Sequence, residues 1–149
     1  MLKQLTFKGG IKQLTCRRDL KSTLDINENI QLENKCRKLL KNDEIRFVGM
    51  INPMGNLIFG GFNKYVDLFK NNEKRRQFYM QMALEISMRK DFDDVLGKIN
   101  HITTNRDNIL MIAMPINNHV LLIYAKPTAT AEHLIAQVNV LGFSNLRLE

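Results

Sequence analysis

The sequence has few cysteines, the residues that cross-link small folds and carry redox chemistry. Among its 149 residues are two cysteines and no tryptophan. Cys16 and Cys36 are too far apart for a CxxC site, and one pair of thiols cannot form a disulfide framework. No apolar h-region of a secretory signal is present near residue 1. We therefore expect two free thiols in the reducing environment of the cytoplasm.

Long apolar runs are missing too. None approaches the roughly 18 residues that a membrane-spanning helix needs, so no membrane partner is expected.

Catalytic, cofactor and metal motifs are also missing. The sequence contains no GxSxG, GxGxxG or P-loop. His101, His119 and His133 fall in different predicted elements, without the spacing of a metal-binding pair. Cys36 falls on the apolar face of a predicted helix, which favours a buried and unreactive thiol. Since no acid–base or nucleophile set can be assembled, we expect no cofactor, no metal and no enzymatic activity.

One acidic cluster follows the longest predicted helix. Asp91, Asp93 and Asp94 lack the glycine turn and the distal glutamate of a calcium loop. We interpret them as a solvated segment.

Positive charge is what the N-terminal part of the chain has in excess. Residues 1–41 hold ten Lys or Arg against four Asp or Glu, whereas residues 42–149 hold twelve against eleven. We predict a basic arm over residues 1–25 and a single domain over residues 26–149. Aromatic residues are not interleaved with the basic ones, so binding to a nucleic acid would be weak and non-specific. The predicted polyanion-binding residues are Lys12, Arg17, Arg18, Lys21, Arg37 and Lys38.

The first ordered elements are a helix and a hairpin. Asn27 has the character of an N-cap, and apolar residues recur at helical spacing to about Leu40. Strands are predicted at 45–51 and 57–59, joined by the turn chemistry of residues 53–56. The Gly60-Gly61 pair should end the second strand or mark a bulge.

The longest predicted helix runs from about Asn71 to Arg89. Phe78, Met82 and Ile86 form one apolar face, which Tyr79 and Ala83 continue. Met80, Leu84 and Met88 lie nearly opposite. A helix packed on one sheet needs only about a 100° apolar stripe, so this helix is expected to bury two faces.

Three strands and a helix complete the pattern. Strands are predicted over residues 99–105, 109–116 and 120–125, with a tight turn at Asn117-Asn118. Thr130 and Gly142 bound a final helix. Continuous apolar strands need cover on both faces. The order α-β-β-α-β-β-β-α therefore predicts an α/β (α+β) domain whose five-stranded antiparallel sheet is covered by helices on both faces.

This element order over residues 28–142 resembles the roadblock/LC7 family of the profilin-like and longin-like group. The resemblance rests on "RFVGMINPMGNLIFGG" at 46–61 and "NILMIAMPINNHVLLIYAKPTATAEHLIAQV" at 108–138. The chain is also similar to an archaeal family of related build and unassigned function. The resemblance implies a dimerising scaffold or regulator, often of small GTPases.

Three functions remain open at this stage. The first is a homodimeric interaction module that binds a protein partner such as a small GTPase. The second is a small-molecule sensor of PAS or GAF type, which would need a cavity between helix and sheet. The third is a nucleic-acid-associated factor using the basic arm. For the first, the predicted dimer interface consists of Met80, Leu84, Met88, Ile99 and Ile102.

Overall fold

The structure is a computed structural model that describes residues 23–63 and 69–143, with side chains described from residue 27 onward. Within these ranges it forms four helices, five strands and one 3₁₀ turn at Lys90–Phe92. The helices are α1 (Thr23–Leu39), α2 (Asn72–Arg89), α3 (Asp93–Leu96) and α4 (Ala131–Leu141). The strands are β1 (Ile45–Ile51), β2 (Leu57–Phe62), β3 (Ile102–Asn105), β4 (Leu110–Ile116) and β5 (His119–Ala125).

The five strands make one antiparallel sheet in the order β2-β1-β5-β4-β3. Strand β5 is therefore central, and it joins the β1–β2 hairpin to the meander of β3 and β4. Helix α2 makes the crossover between those two parts. The sheet and its α+β class confirm the fold predicted from the sequence.

Alternate residues of the central strands point to opposite sides of the sheet. On one side Leu121 and Ile123 pack with Leu32 of α1 and Leu134 of α4. On the other side the core includes Leu122 and Tyr124 of β5 with Tyr79, Ala83 and Ile86 of α2. Helices thus cover both faces, which explains why β4 and β5 are apolar at nearly every position.

Helix α1 begins at Thr23 rather than at Asn27. Asn27 therefore lies within the helix, and its predicted role as the N-cap is wrong. The first helical residues belong to the stretch that the sequence placed in the basic arm. The division of the chain at residue 25 stays a prediction, because residues 1–22 lie outside the described part.

The glycine pair at 60–61 belongs to β2, which continues to Phe62. Gly60 stands opposite Gly49 of β1 at a φ of 140°. A Cβ at Gly60 would lie 2.5 Å from the Cα of Gly49 and 2.5 Å from the carbonyl oxygen of Val48. Both alternatives predicted for the pair are wrong, because the strand continues to Phe62 and the register shift of this hairpin lies between Met50 and Ile51. Glycine is needed here because the two backbones approach so closely.

The segment after α2 differs most from its prediction. The interval from 90 to 96 forms the 3₁₀ turn and the single turn of α3, where no regular structure was expected. Strand β3 is also shorter than predicted, so Ile99 precedes it.

Other boundaries follow their sequence signals closely. The Asn71 side chain accepts hydrogen bonds from the backbone N–H groups of Glu73 and Lys74 at the start of α2. Gly142 ends α4 in the left-handed conformation, as a C-terminal glycine should. The two-residue turn at Asn117-Asn118 joins β4 to β5.

Candidate interaction surface

The outer side of α2 carries an exposed apolar stripe. Met80, Leu84 and Met88 are 51%, 59% and 58% exposed, and they recur every four residues along the helix. Tyr79 and Ala83, on the inner side, are buried against the sheet. The helix is therefore apolar on two sides, as its sequence predicts, but the described chain covers only one of them. We call Met80, Leu84 and Met88 the outer stripe.

The connection that follows α2 carries three more exposed apolar residues. Phe92, Val95 and Leu96 are 59%, 76% and 79% exposed. We call these three residues the apolar knob. Sequence reasoning missed them because the neighbouring aspartates indicated a solvated segment. Their i, i+3, i+4 spacing is the helical signal that could have found them.

A groove separates the outer side of α2 from the β1–β2 turn. Its volume is about 640 Å³. Gly55, at a φ of 82°, lets the turn approach the backbone of Met80, since a Cβ there would lie 2.6 Å from the Met80 Cα. The Asn52 side chain holds the turn by accepting hydrogen bonds from two backbone N–H groups. The lining includes Pro53, Met54, Glu73, Arg76, Gln77, Met80 and Leu84.

The sheet edge at β3 lies along a different flank of α2, where Ile102 and Thr104 line a narrow gap with Phe78, Met82 and Glu85. No described strand pairs with the outer edge of β3. Ile102 is half-buried and packs into the core beneath α2, so its side chain serves the chain's own fold. Ile99 is also half-buried. Of the five predicted interface residues, the three of the outer stripe are thus the ones freely displayed.

The predicted polyanion site is only partly within the described residues. Arg37 and Lys38 are exposed on α1, and the Arg37 guanidinium donates to the Glu33 carboxylate at 2.9 Å. That pairing offsets part of the local positive charge. Lys12, Arg17, Arg18 and Lys21 lie outside the described residues, as does Cys16.

The layer between α2 and the sheet is closely filled over most of its length. The gap lined by Phe78, Met82 and Ile102 has a volume of only about 10 Å³. A larger cavity of about 450 Å³ lies at one end, beside Phe69 and Tyr124. A small-molecule sensor would need that space.

Tyr124 is the notable polar group in this layer. Its hydroxyl is buried and has no hydrogen-bond partner among the described residues. Burial raises the pKa of its phenol strongly, so the group stays neutral.

The groups that could support chemistry are few in the described ranges. Burial, together with the nearby Glu33 carboxylate, raises the pKa of the Cys36 thiol strongly, so that thiol is a poor nucleophile. Burial lowers the pKa of His119. No group of three His, Cys, Asp or Glu residues is placed there to hold a metal ion. None of the described helices has the length and apolar character to span a bilayer.

Comparison with known proteins gives the chain a family and a fold. The chain belongs to DUF6659, a family of unknown function, whose model matches residues 23–143. That match begins at the first residue of α1. No curated protein matches the sequence.

Solved structures share the fold at very low sequence identity. The Roadblock/LC7 domain from Streptomyces avermitilis is 11% identical, covers 73% of this chain and 89% of its own, and has a TM-score of 0.58. The gliding protein MglB from Thermus thermophilus is 8% identical over 75% and 87%, with a TM-score of 0.60. MglC from Myxococcus xanthus is 7% identical over 78% and 99%, with a TM-score of 0.54. The chain therefore has the roadblock/LC7 fold that its sequence resembles.

Proposed function

We propose that the protein is a non-catalytic, regulatory module of the cytoplasm that forms a homodimer through α2 and binds a protein partner, with a small GTPase as the expected class. The observation that carries the proposal is the outer stripe. Monomeric proteins rarely expose contiguous apolar patches of several side chains, and larger patches mark interaction sites.

The sheet edge at β3 supports the same proposal. An unpaired strand edge is a template for pairing with another chain. Strand β3 is such an edge in the described structure, and it lines a narrow gap with Phe78, Met82 and Glu85 of α2. A second copy that pairs with this edge would extend the sheet.

The partner class rests on different support. The roadblock resemblance implies a regulator of small GTPases, and the shared fold agrees with that. Among the described residues, Cys36 is buried and no group of three His, Cys, Asp or Glu residues is placed to hold a metal ion.

The direct test changes Leu84 to Asp. A carboxylate placed in a dry interface has no partner, so we expect the dimer dissociation constant to rise at least about 100-fold. Sedimentation velocity or light scattering over a range of concentrations measures this. Val140→Asp is the matched control, because Val140 is 85% exposed on α4, across the sheet. A wild-type chain that stays monomeric at tens of micromolar contradicts the proposal.

The partner is tested separately by affinity purification of the tagged protein from its native host, with mass spectrometry. The proposal expects a GTPase to be retained by the wild type and by Val140→Asp. Recovery of no GTPase under any nucleotide condition would contradict the partner class but not the dimer.

The small-molecule alternative keeps one observation in its favour, the cavity beside Tyr124. A sensor should copurify with its ligand, which native mass spectrometry of the intact protein would detect. Tyr124→Phe would then weaken ligand retention, since it removes the hydroxyl that lacks a partner in the described structure.

A further inference from the structure

The apolar knob belongs to a segment made of only two kinds of residue. Residues 91–96 consist of three aspartates and the three large apolar residues of the knob. All three apolar side chains are mostly exposed. The lining of the groove beside α2 runs from Glu73 to Ser87, so the knob lies beyond the groove. The knob is therefore a second apolar surface, separate from the outer stripe and surrounded by acidic residues.

The aspartates have no cation of their own in the described part of the chain. Asp91, Asp93 and Asp94 form no ion pair with any described residue. Lys90 donates instead to the carbonyl oxygen of Asn117 at 3.2 Å. One carboxylate oxygen of Asp93 is buried without a hydrogen-bond partner among the described residues. A binding partner that fits this surface combines apolar side chains with positive charge.

The first 22 residues of the chain, which we call the N-terminal segment, have that composition. They hold six Lys or Arg against one Asp. Large apolar residues are interspersed among the basic ones, such as Leu5, Phe7 and Ile11 with Lys3, Lys8 and Lys12. The N-terminal segment and the knob are thus both apolar, and their charges are of opposite sign.

The position of α1 brings the two within reach. Helix α1 ends beside the start of β1, where Ile45 pairs with Ala125, and its first residues lie away from that end of the sheet. The hydrogen bond from Lys90 to Asn117 places the knob at the opposite end from Ala125 as well. An extended chain of 22 residues spans up to roughly 75 Å. A seven-residue strand of this sheet spans only about 23 Å.

From this match we propose that the N-terminal segment binds the apolar knob of its own chain. Its apolar side chains pack against Phe92, Val95 and Leu96, and its basic side chains lie beside the aspartates. An anionic membrane surface or a nucleic acid fits the knob poorly, because the aspartates repel phosphate. The contact does not depend on the proposed homodimer, since it leaves the outer stripe free.

The test locates the N-terminal segment by nuclear magnetic resonance. Because Cys36 is buried, a nitroxide reagent applied to the folded protein is directed to Cys16, and mass spectrometry verifies one label per chain. We expect the backbone amide signals of residues 91–96 to lose most of their intensity, because the unpaired electron broadens the signals of nearby nuclei. The signals of Asp43 and Asp107, at the other end of the sheet, should keep their intensity. Reducing the nitroxide with ascorbate gives the reference spectrum.

Charge reversal tests what holds the contact together. The acid-reversed variant is Asp91→Lys with Asp94→Lys, and the base-reversed variant is Lys8→Glu with Lys12→Glu. Each variant alone brings like charges together, so most of the lost intensity should return. The variant that combines all four changes should show the broadening again. Salt at about 1 M should also weaken the broadening in the wild type, since the Debye length is then only about 3 Å.

Two further variants separate this contact from general effects. Val95→Ser with Leu96→Ser removes exposed apolar surface, and the intensity should return because the apolar part of the contact is lost. Asp43→Lys with Asp107→Lys makes the same change of net charge as the acid-reversed variant, at exposed positions away from the knob. This control should leave the broadening unchanged. Circular dichroism establishes that each variant is folded.

Mixing experiments show which chain supplies the segment. Nitroxide-labelled protein is mixed with isotope-labelled Cys16→Ser protein, so that broadening can arise only between chains. We expect none at the knob. The isotope-labelled Leu84→Asp variant with the nitroxide on its own Cys16 should show the same broadening as the wild type, whether or not the wild type dimerises.

The outcomes decide the proposal independently of the homodimer. Broadening at the knob within one chain, abolished by either reversal and restored by their combination, supports it. Broadening that is absent from the knob, that arises only between chains or that resists both reversals overturns it. A monomeric wild type overturns only the proposed homodimer.

Discussion

The two sides of the sheet are covered in different ways. On one side α1 and α4 lie together, and each buries a single face. Their large exposed apolar residues, Ile30 and Val140, are isolated ones. On the other side α2 lies alone, buries its inner face and displays the outer stripe. Scattered apolar residues are normal on a protein surface, whereas a contiguous set needs an explanation.

This difference indicates where stability and function reside. On the α1–α4 side, which we call the finished side, both helices bury their apolar faces against the sheet. Substitutions there should change the free energy of unfolding and leave assembly unchanged. On the α2 side, which we call the unfinished side, the described residues leave the outer face of the helix uncovered, so under the proposed homodimer substitutions there should change assembly first.

The largest expected effect is the loss of core packing on the finished side. Leu134→Ala removes a fully buried side chain between α4 and the sheet. We expect the free energy of unfolding to fall by about 2–5 kcal/mol. Urea unfolding should show the lower midpoint at every protein concentration.

Leu84→Ala is the matched change on the unfinished side. Leu84 contributes little to the core of its own chain. The urea midpoint of the Leu84→Ala protein should therefore fall only at protein concentrations at which the wild type is dimeric. If Leu134→Ala and Leu84→Ala lowered the urea midpoint by the same amount at every protein concentration, the division of the two sides would be contradicted.

An intermediate effect is expected where β1 and β2 touch. Gly60→Ala forces a Cβ against Gly49 at a φ that side chains rarely adopt. We expect a loss of about 1–3 kcal/mol in the free energy of unfolding. Gly61→Ala is the control, since a Cβ at Gly61 meets nothing within 4 Å. If the two variants were equally stable, the close approach of the strands would be wrong.

That glycine pair shows where sequence reasoning succeeds and fails. Strands β1, β4 and β5 were predictable because their apolar runs are buried on both faces. Gly60 and Gly61 looked like a strand end, since glycine weakens most strands. The position of Gly49 across the ladder explains Gly60, and that pairing is non-local.

The interaction surface was predictable in part for a similar reason. The helical period revealed Met80, Leu84 and Met88 without any tertiary information. The groove was not predictable, because it forms between α2 and a turn some 25 residues earlier in the chain. The apolar knob was not predicted, because the charges of the neighbouring aspartates are the strongest local signal and indicate a solvated segment.

The smallest expected effect lies on the finished side and depends on pH. Cys36 is buried beside Glu33, and burial raises the pKa of its thiol above the usual 9.0. Above that pH the unfolded chain loses a proton that the native chain keeps. The free energy of unfolding should therefore fall as pH rises, by up to about 1.4 kcal/mol per unit from this group.

Urea unfolding of Cys16→Ser protein between roughly pH 8 and 10 measures the slope. Adding Cys36→Ala should flatten it, although the smaller side chain lowers stability by a constant amount. Lysine and tyrosine ionisation is common to both proteins and cancels in the difference. Identical slopes for the two would mean that the native thiol ionises as freely as the unfolded one, and that the α1–α4 side admits water at Cys36.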